Sequence, residues 1–276
     1  MSDNSVFDYL KLRASYGISK NDFWGDDYYL YKSTFTRGGN FIYSNGAASN
    51  NETNFATAPI DITLQKRKDI TLGLDASLLD RALNVKLGYF NSESLDNITQ
   101  MNNTYPQVLG FENLIYNNYN SDRTQGVELG IDYTIQASSD LTITAGANFL
   151  SLSRKITKID EPIYEGLDVA LQQKGTATDA MWGLRSDGLY SEADFNTDGS
   201  LVTGLPVPSF GAVQPGDIKY LDQNEDGVID NNDRRILGHG LRNQGSLYLD
   251  VKFKNLEFYV LGIAQLGDYN YRSGSY

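Results

Sequence analysis

The chain has 276 residues, of which 40% are hydrophobic, its mean hydropathy is negative, and it contains no run of about 18 apolar residues, which excludes a helical membrane protein. Its 35 acidic and 23 basic residues give a net charge of −12 with no basic stripe, which argues against nucleic acid as a partner. The absence of cysteine excludes a disulfide scaffold and a thiolate metal site, whereas 26 glycines and 19 tyrosines suit a β-rich protein. A strand that crosses a membrane exposes only alternate residues to lipid, so low mean hydropathy is compatible with a barrel.

Seven segments alternate apolar and polar residues with a period of two. The first spans about residues 9–17, with Leu10, Leu12, Ala14 and Tyr16 opposite Lys11, Arg13 and Ser15. The second, 68–79, sets Ile70, Leu72, Leu74, Ala76 and Leu78 against Thr71, Gly73, Asp75 and Ser77. The third starts near Ala82 with Leu83, Val85, Leu87 and Tyr89, and fades towards Asn97. The fourth, 124–136, carries Val127, Leu129, Ile131, Tyr133 and Ile135, and the fifth, 141–155, carries Leu141, Ile143, Ala145, Ala147 and Phe149. The sixth and seventh, 245–253 and 256–266, carry Leu247, Leu249, Val251 and Phe253, then Leu256, Phe258 and Val260. Each is long enough for a tilted membrane strand, which takes about 9–11 residues.

Short and long connections alternate. Turns are expected around Asp80-Arg81, at 137–140 and at Lys254-Asn255, and long connections at 18–67, 98–123 and 156–244. Outer-membrane barrels have short periplasmic turns on one side and long external loops on the other, whereas a Greek-key sandwich has no reason to segregate them. The predicted fold class is all-β, an antiparallel transmembrane β-barrel portion, with the apolar faces towards lipid and Lys86, Glu128 and Asp132 towards the lumen. No linker divides the chain, so 1–276 is read as one partial barrel. Met1-Ser2-Asp3-Asn4-Ser5 lacks the pattern of a secretory signal, and the leader of an exported protein is expected upstream.

Two connections carry candidate binding chemistry. The first contains Trp24, Tyr28, Tyr29, Tyr31, Phe41 and Tyr43, whose rings suit sugar rings or peptide side chains. The same stretch also reads as a hairpin of 28–34 with 41–44, extending the barrel above the membrane. The last long connection contains Asp222-Gln-Asn224-Glu-Asp226-Gly227-Val228-Ile229-Asp230-Asn-Asn-Asp233, with the spacing of a calcium loop. Asp222, Asn224, Asp226, Asp230 and Asp233 would supply side-chain oxygens, Val228 its carbonyl, and Gly227 the sharp turn. Asp233 stands where a helix-loop-helix site has a longer bidentate Glu, so the loop is nearer a dockerin-like variant. The alternative is a solvated Asp/Asn-rich turn without metal.

Enzymatic readings have little to use. His239 is the sole histidine, flanked by glycines, and carboxylate pairs such as Glu93 with Asp96 arise by chance among so many acids. The chain is expected not to be an enzyme.

The segment 215–238, from Pro215-Gly-Asp217 through the calcium-like loop to Ile236-Leu-Gly238, resembles the signature loop near the C-terminus of SusC/RagA TonB-dependent outer-membrane transporters. Leu10-Lys-Leu-Arg-Ala-Ser-Tyr-Gly17, Gly73-Leu-Asp75, Gly126-Val-Glu128-Leu and Asn255-Leu-Glu-Phe-Tyr-Val-Leu-Gly262 resemble that family's strand motifs in the same order. Ile62-Thr-Leu64-Gln65 departs from the usual Leu-x-Trp-Glu. The resemblance implies part of a plugged barrel of about 22 strands, with signal peptide, plug and closing strand lying outside this chain. It further implies import of oligosaccharides or peptides across the bacterial outer membrane, a SusD-like surface lipoprotein as lid, and TonB acting through the plug. From another class stands a soluble or surface-attached calcium-stabilised β-protein, an adhesin or carbohydrate-binding module.

Overall fold

A computed structural model describes residues 7–22, 32, 35–37, 41–42, 48–49, 53–55, 61–104, 115–162, 170, 172–240 and 242–267. The chain opens with β1 (Tyr9–Asn21), followed by two nested pairs: β2 (Phe35–Arg37) with β5 (Thr53–Phe55), enclosing β3 (Phe41–Ile42) with β4 (Ala48–Ser49). Four long strands come next, β6 (Gln65–Leu78), β7 (Leu83–Gln100), β8 (Tyr116–Ser138) and β9 (Leu141–Lys158). The connection after β9 holds only short pieces, β10 (Met181–Gly183), β11 (Ser186–Leu189), β12 (Val207–Pro208), β13 (Ile218–Tyr220), β14 (Val228–Ile229) and β15 (Arg235–Gly238). β16 (Asn243–Phe253) and β17 (Leu256–Leu266) complete the described part.

The seven long strands form one antiparallel sheet in the order β1-β6-β7-β8-β9-β16-β17. All-β architecture with antiparallel pairing follows as the alternation predicts. The strands outrun their apolar alternation mainly at one end: β8 begins at Tyr116, well before Val127, because the polar run from Tyr116 to Arg123 still completes backbone ladders to β7 and β9. The aromatic connection pairs differently from the expected hairpin. Phe35–Arg37 meets Thr53–Phe55, and Phe41–Ile42 meets Ala48–Ser49 rather than 28–34, a stretch that lies outside the described residues except for Lys32.

Register places the three short turns, 79–82, 139–140 and 254–255, on one rim. Leu79, Asp80 and Arg81 all have positive φ, an unusual run for residues with side chains. Asp8 offsets part of that strain by accepting the Arg81 N–H at 3.0 Å, and Ala82 N–H closes the turn on the Leu79 carbonyl. The three long connections leave from the opposite rim, as the alternation of loop lengths predicts.

Pairing also aligns the apolar faces. One row runs Leu12–Leu74–Leu87–Leu129–Phe149–Gly245–Ala264, the next Leu10–Ala76–Val85–Ile131–Ala147–Leu247–Gly262. Each further row towards the turns stays apolar, through Leu78–Leu83–Tyr133–Ala145–Leu249–Val260 to Ile135–Ile143–Val251–Phe258. A slip of one residue in any pair would interrupt this band, so the two-residue period of the side chains ties the band to this one register. The band is not packed into a protein core: Leu72 is 48% exposed, Leu129 38% and Leu247 69%, and of the apolar rows only Ala76 is buried among the described residues. Contiguous apolar surface spread over seven strands is rare on a soluble monomer and marks a face that meets another phase or molecule.

The opposite face is polar and cross-linked between neighbouring strands. Arg13 pairs with Asp75 at 2.9 Å, and Ser77, Asn84 and Asp132 form a chain of hydrogen bonds across β6, β7 and β8. Thr134 meets Thr144, Gln136 accepts from Thr142, and Asn148 donates to Ser246. Large side chains on this face lie over glycines. The Tyr248 ring occupies the place of a side chain at Gly146, and a Cβ at Gly126 would stand 2.6 Å from the Phe90 ring. Both glycines are therefore required by close approach.

Candidate functional site

On the polar face, Lys86, Glu128 and Asp132 stand where alternation places them, away from the apolar band. Lys86 and Glu128 line a shallow cavity together with Arg13, Asn148, Gln244 and Ser246. Both charges and neutral hydrogen-bonding groups are therefore presented on the side that a barrel would turn inward.

At the rim away from the turns, side-chain amides and one carboxylate brace three connections. Asn118 bonds Thr63 through both its carbonyl oxygen and its amide, and also donates to the Asp96 carbonyl. Asp160 accepts from the Asn103 N–H and the Thr104 hydroxyl, while its own N–H donates to Asn120. Met101 and Ile115 are buried beside this brace, and the Met101 N–H reaches the Ile115 carbonyl at 2.8 Å. Glu93 and Asp96, read above as a chance pair, are separately neutralised by Arg123 and Lys66.

The β9–β16 connection is fixed to that rim by backbone bonds at Ile156, with Thr176 and Gly175, and at Leu152, with Arg242. Arg242, largely buried, grips both oxygens of Asp179 and also donates to the Gly240 carbonyl. The hydrogen bonds from Arg242 hold the Asp179 carboxyl below its ordinary pKa. His239 follows β15 in this same segment, its Nδ1 3.0 Å from the Gly240 carbonyl oxygen.

Within the connection, the loop 222–233 is built from carboxylates and carboxamides that bind backbone N–H groups. Asp222 accepts from Glu225 and Gly227, both at 2.7 Å, and Asp226 from Val228 at 2.8 Å. Asn224 accepts from the Asp226 N–H and donates to its carboxylate. Asp230 caps a one-turn 3-10 helix (Asn231–Asp233) by accepting from Asn232, and Asp233 closes the box by accepting from the Asp230 N–H. Asp233 also takes the Gln223 N–H at 2.7 Å and is wholly buried, as is Ile229. Glu225 and Gly227 adopt positive φ of 60° and 84°, so the loop doubles back as the spacing predicts. Although desolvation raises the Asp222 pKa, its bonds from Gly227, Glu225, Asp226 and Asn224 N–H groups outweigh it and set the group below its ordinary value.

The donor chemistry fits a hard cation. All candidate side-chain ligands are oxygens, and a carboxylate oxygen that accepts one N–H retains a second lone pair. The Gly227 and Ile229 carbonyls are taken by Val207 and Ser209 of the parallel pair β12–β14. Extended backbone alternates, so the Val228 carbonyl lies on the other side with its own N–H, which meets Asp226. Among the described residues, however, no three acidic or histidine side chains are gathered closely enough to ligate one ion.

Of the aromatic candidates, Trp24, Tyr28, Tyr29, Tyr31 and Tyr43 lie outside the described residues, and Phe41 is described only as backbone in β3 paired with Ser49. The rim brace and the Asp179–Arg242 grip escaped sequence reasoning. No periodicity links Asn118 to Thr63 or Arg242 to Asp179, and only the fold brings them together.

Taken together, the sheet has the form of a strand wall, with one uncovered apolar side, one polar side, turns on one rim and elaborate connections on the other. Comparison with solved structures gives that form a particular counterpart. The chain is similar to the RagAB peptide transporter, with TM-score 0.57 at 20% identity over 94% of this chain. It is also similar to the RagAB peptide importer in its closed-closed and open-open states, with TM-scores of 0.60 and 0.64 at 19% identity over 95% and 97% of this chain. It spans 26–27% of the length of those solved chains. At this identity the likeness is one of fold. No protein-family model and no curated protein matches the chain.

Proposed function

We propose that this chain supplies part of the barrel wall and of the external loops of a TonB-dependent importer of the SusC/RagA kind in the bacterial outer membrane. The observation that carries the reading is the register-aligned apolar band that stays exposed among the described residues, bounded by a polar opposite face. Lipid on one side and an aqueous lumen on the other satisfy both faces, and membrane strands satisfy their backbone groups only by lateral pairing. The solved neighbours are described as peptide importers, which favours peptides over oligosaccharides as cargo. A SusD-like surface lipoprotein would cover the loop side, and TonB would act through a plug region outside this chain. The uncovered band argues against a soluble calcium-stabilised adhesin or carbohydrate-binding module.

Uptake in cells provides the test. A strain lacking the full-length protein is expected to lose uptake of labelled oligopeptides and to regain it on complementation. Unchanged uptake of both oligopeptides and oligosaccharides would contradict the proposal.

We also propose that the loop 222–233 binds one Ca²⁺ through Asp222, Asn224, Asp226, Asp230, Asp233 and the Val228 carbonyl. The support is the ligand spacing, the doubled-back turn at Gly227 and a Val228 carbonyl that backbone alternation sets opposite those of Gly227 and Ile229. Binding would draw the carboxylates from their backbone partners towards a shared ion. Calcium is expected to protect the loop from proteolysis in the wild type but not in Asp226→Ala. Equal protection of both with and without calcium would leave only a polar turn.

A further inference from the structure

The apolar face changes character abruptly towards the loop rim. Above Tyr16 and Ile70 the row becomes polar at Asn91, Gln125 and Ser153. The next row is Ile18–Lys68–Glu93–Arg123–Lys155, and Lys20 pairs with Lys66 one row higher. Lys158, beyond the bulge in β9, places its ammonium 3.9 Å from the centre of the Tyr119 ring. Six basic side chains thus stand on one face across β1, β6, β8 and β9, in a protein whose net charge is −12.

The two acidic side chains that reach this belt do not neutralise it. Glu93 is taken by Arg123 and Asp96 by Lys66. Lys20, Lys68 and Lys155 have no carboxylate within ion-pair distance among the described residues. The turn rim offers no counterpart: its charges are Asp8, Asp80 and Asp140 with Arg81 and Lys254. Strands lie about 4.8 Å apart, so the cations form a band parallel to the edge of the apolar surface.

We propose that this belt binds the net-anionic, phosphomonoester-bearing headgroups of lipids in the leaflet on the loop side. The inference rests on the membrane reading above and adds which leaflet and which headgroup chemistry the wall recognises. Phosphate fits because the apolar band places the acyl chains immediately below the belt, and a headgroup at that height presents its anionic oxygens to Lys20, Lys68 and Lys155. Each Lys or Arg near an anionic lipid surface contributes about 1 kcal/mol, or about fivefold, to the attraction. The belt would also fix how deeply the wall sits in the bilayer.

The test uses the full-length protein reconstituted into vesicles of phosphatidylcholine alone and of phosphatidylcholine mixed with phosphatidic acid. Insertion is followed by protease protection, and lipids retained after detergent extraction are counted by mass spectrometry. Wild type is expected to insert and to retain phosphatidic acid at least about tenfold above its share of the mixture. Lys20→Gln/Lys68→Gln/Lys155→Gln should insert and lose that enrichment, whereas Lys86→Gln, on the opposite face, should keep it. Insertion without enrichment, or enrichment undiminished in the triple variant, would overturn the belt proposal alone. Failure to insert into either vesicle would overturn the membrane reading beneath it.

Discussion

The sheet and the β9–β16 connection are stabilised in opposite ways. In the sheet, order comes from continuous backbone ladders, and the apolar side chains stay exposed among the described residues, so on the membrane reading proposed above lipid would supply the favourable burial. In the connection, regular structure is scarce, and order comes from side chains that cap backbone groups around small buried centres such as Ile229, Asp233 and Tyr190. A wall needs only a repeated pattern, whereas a loop of this kind needs particular residues at particular places. The two regions should therefore fail under different substitutions.

The largest difference should appear when a charge is placed mid-band. Leu129→Arg is expected to cost about 2–4 kcal/mol of folding stability in a bilayer, while Thr134→Arg on the polar face should cost under about 1 kcal/mol. Denaturant unfolding in vesicles measures both, and equal costs would break the distinction between faces.

Asp233→Ala should act locally in the connection. It removes the acceptor of two N–H groups from a fully buried site, at a cost of about 2–3 kcal/mol. Hydrogen exchange is expected to rise across 222–233 and to stay unchanged in β6 to β8. Gly146→Ala should do the reverse, displacing Tyr248 within the sheet at about 1–3 kcal/mol and leaving the loop's exchange rates as they were.

The smallest expected effect concerns acid. Asp179 has a depressed folded pKa, so the stability it adds is full above the unfolded value of about 3.9 and is lost as pH falls through the folded value. Proteolysis of the connection should accelerate below about pH 4, and Asp179→Asn should show that faster cleavage already at pH 7. A variant as resistant as wild type at pH 7 would mean that Arg242 does not secure the connection.

The same contrast explains what could be read from the sequence. Alternation located β17 from Leu256 to Leu266 and the start of β9 at Leu141, because in those stretches one face is apolar and the period is regular. It lost the beginning of β8, where Tyr116 to Arg123 is polar on both faces and only backbone pairing marks a strand. The loop at Asp222 was legible as a turn because Asp, Asn and Gly at fixed spacing have few alternatives. Its partner strand β12 and the grip of Arg242 on Asp179 were not, since both depend on residues far apart in the chain.

The central claim is that the apolar face meets lipid, and single cysteines test it most directly because the chain has none of its own. Cysteines placed in turn at 127, 128, 129, 130, 131 and 132 along β8 carry a fluorescent label in protein reconstituted with bromine-labelled acyl chains. The account predicts strong quenching at 127, 129 and 131, with aqueous thiol reagents reaching 128, 130 and 132. Quenching without a period of two, or strongest at 128, 130 and 132, would contradict it.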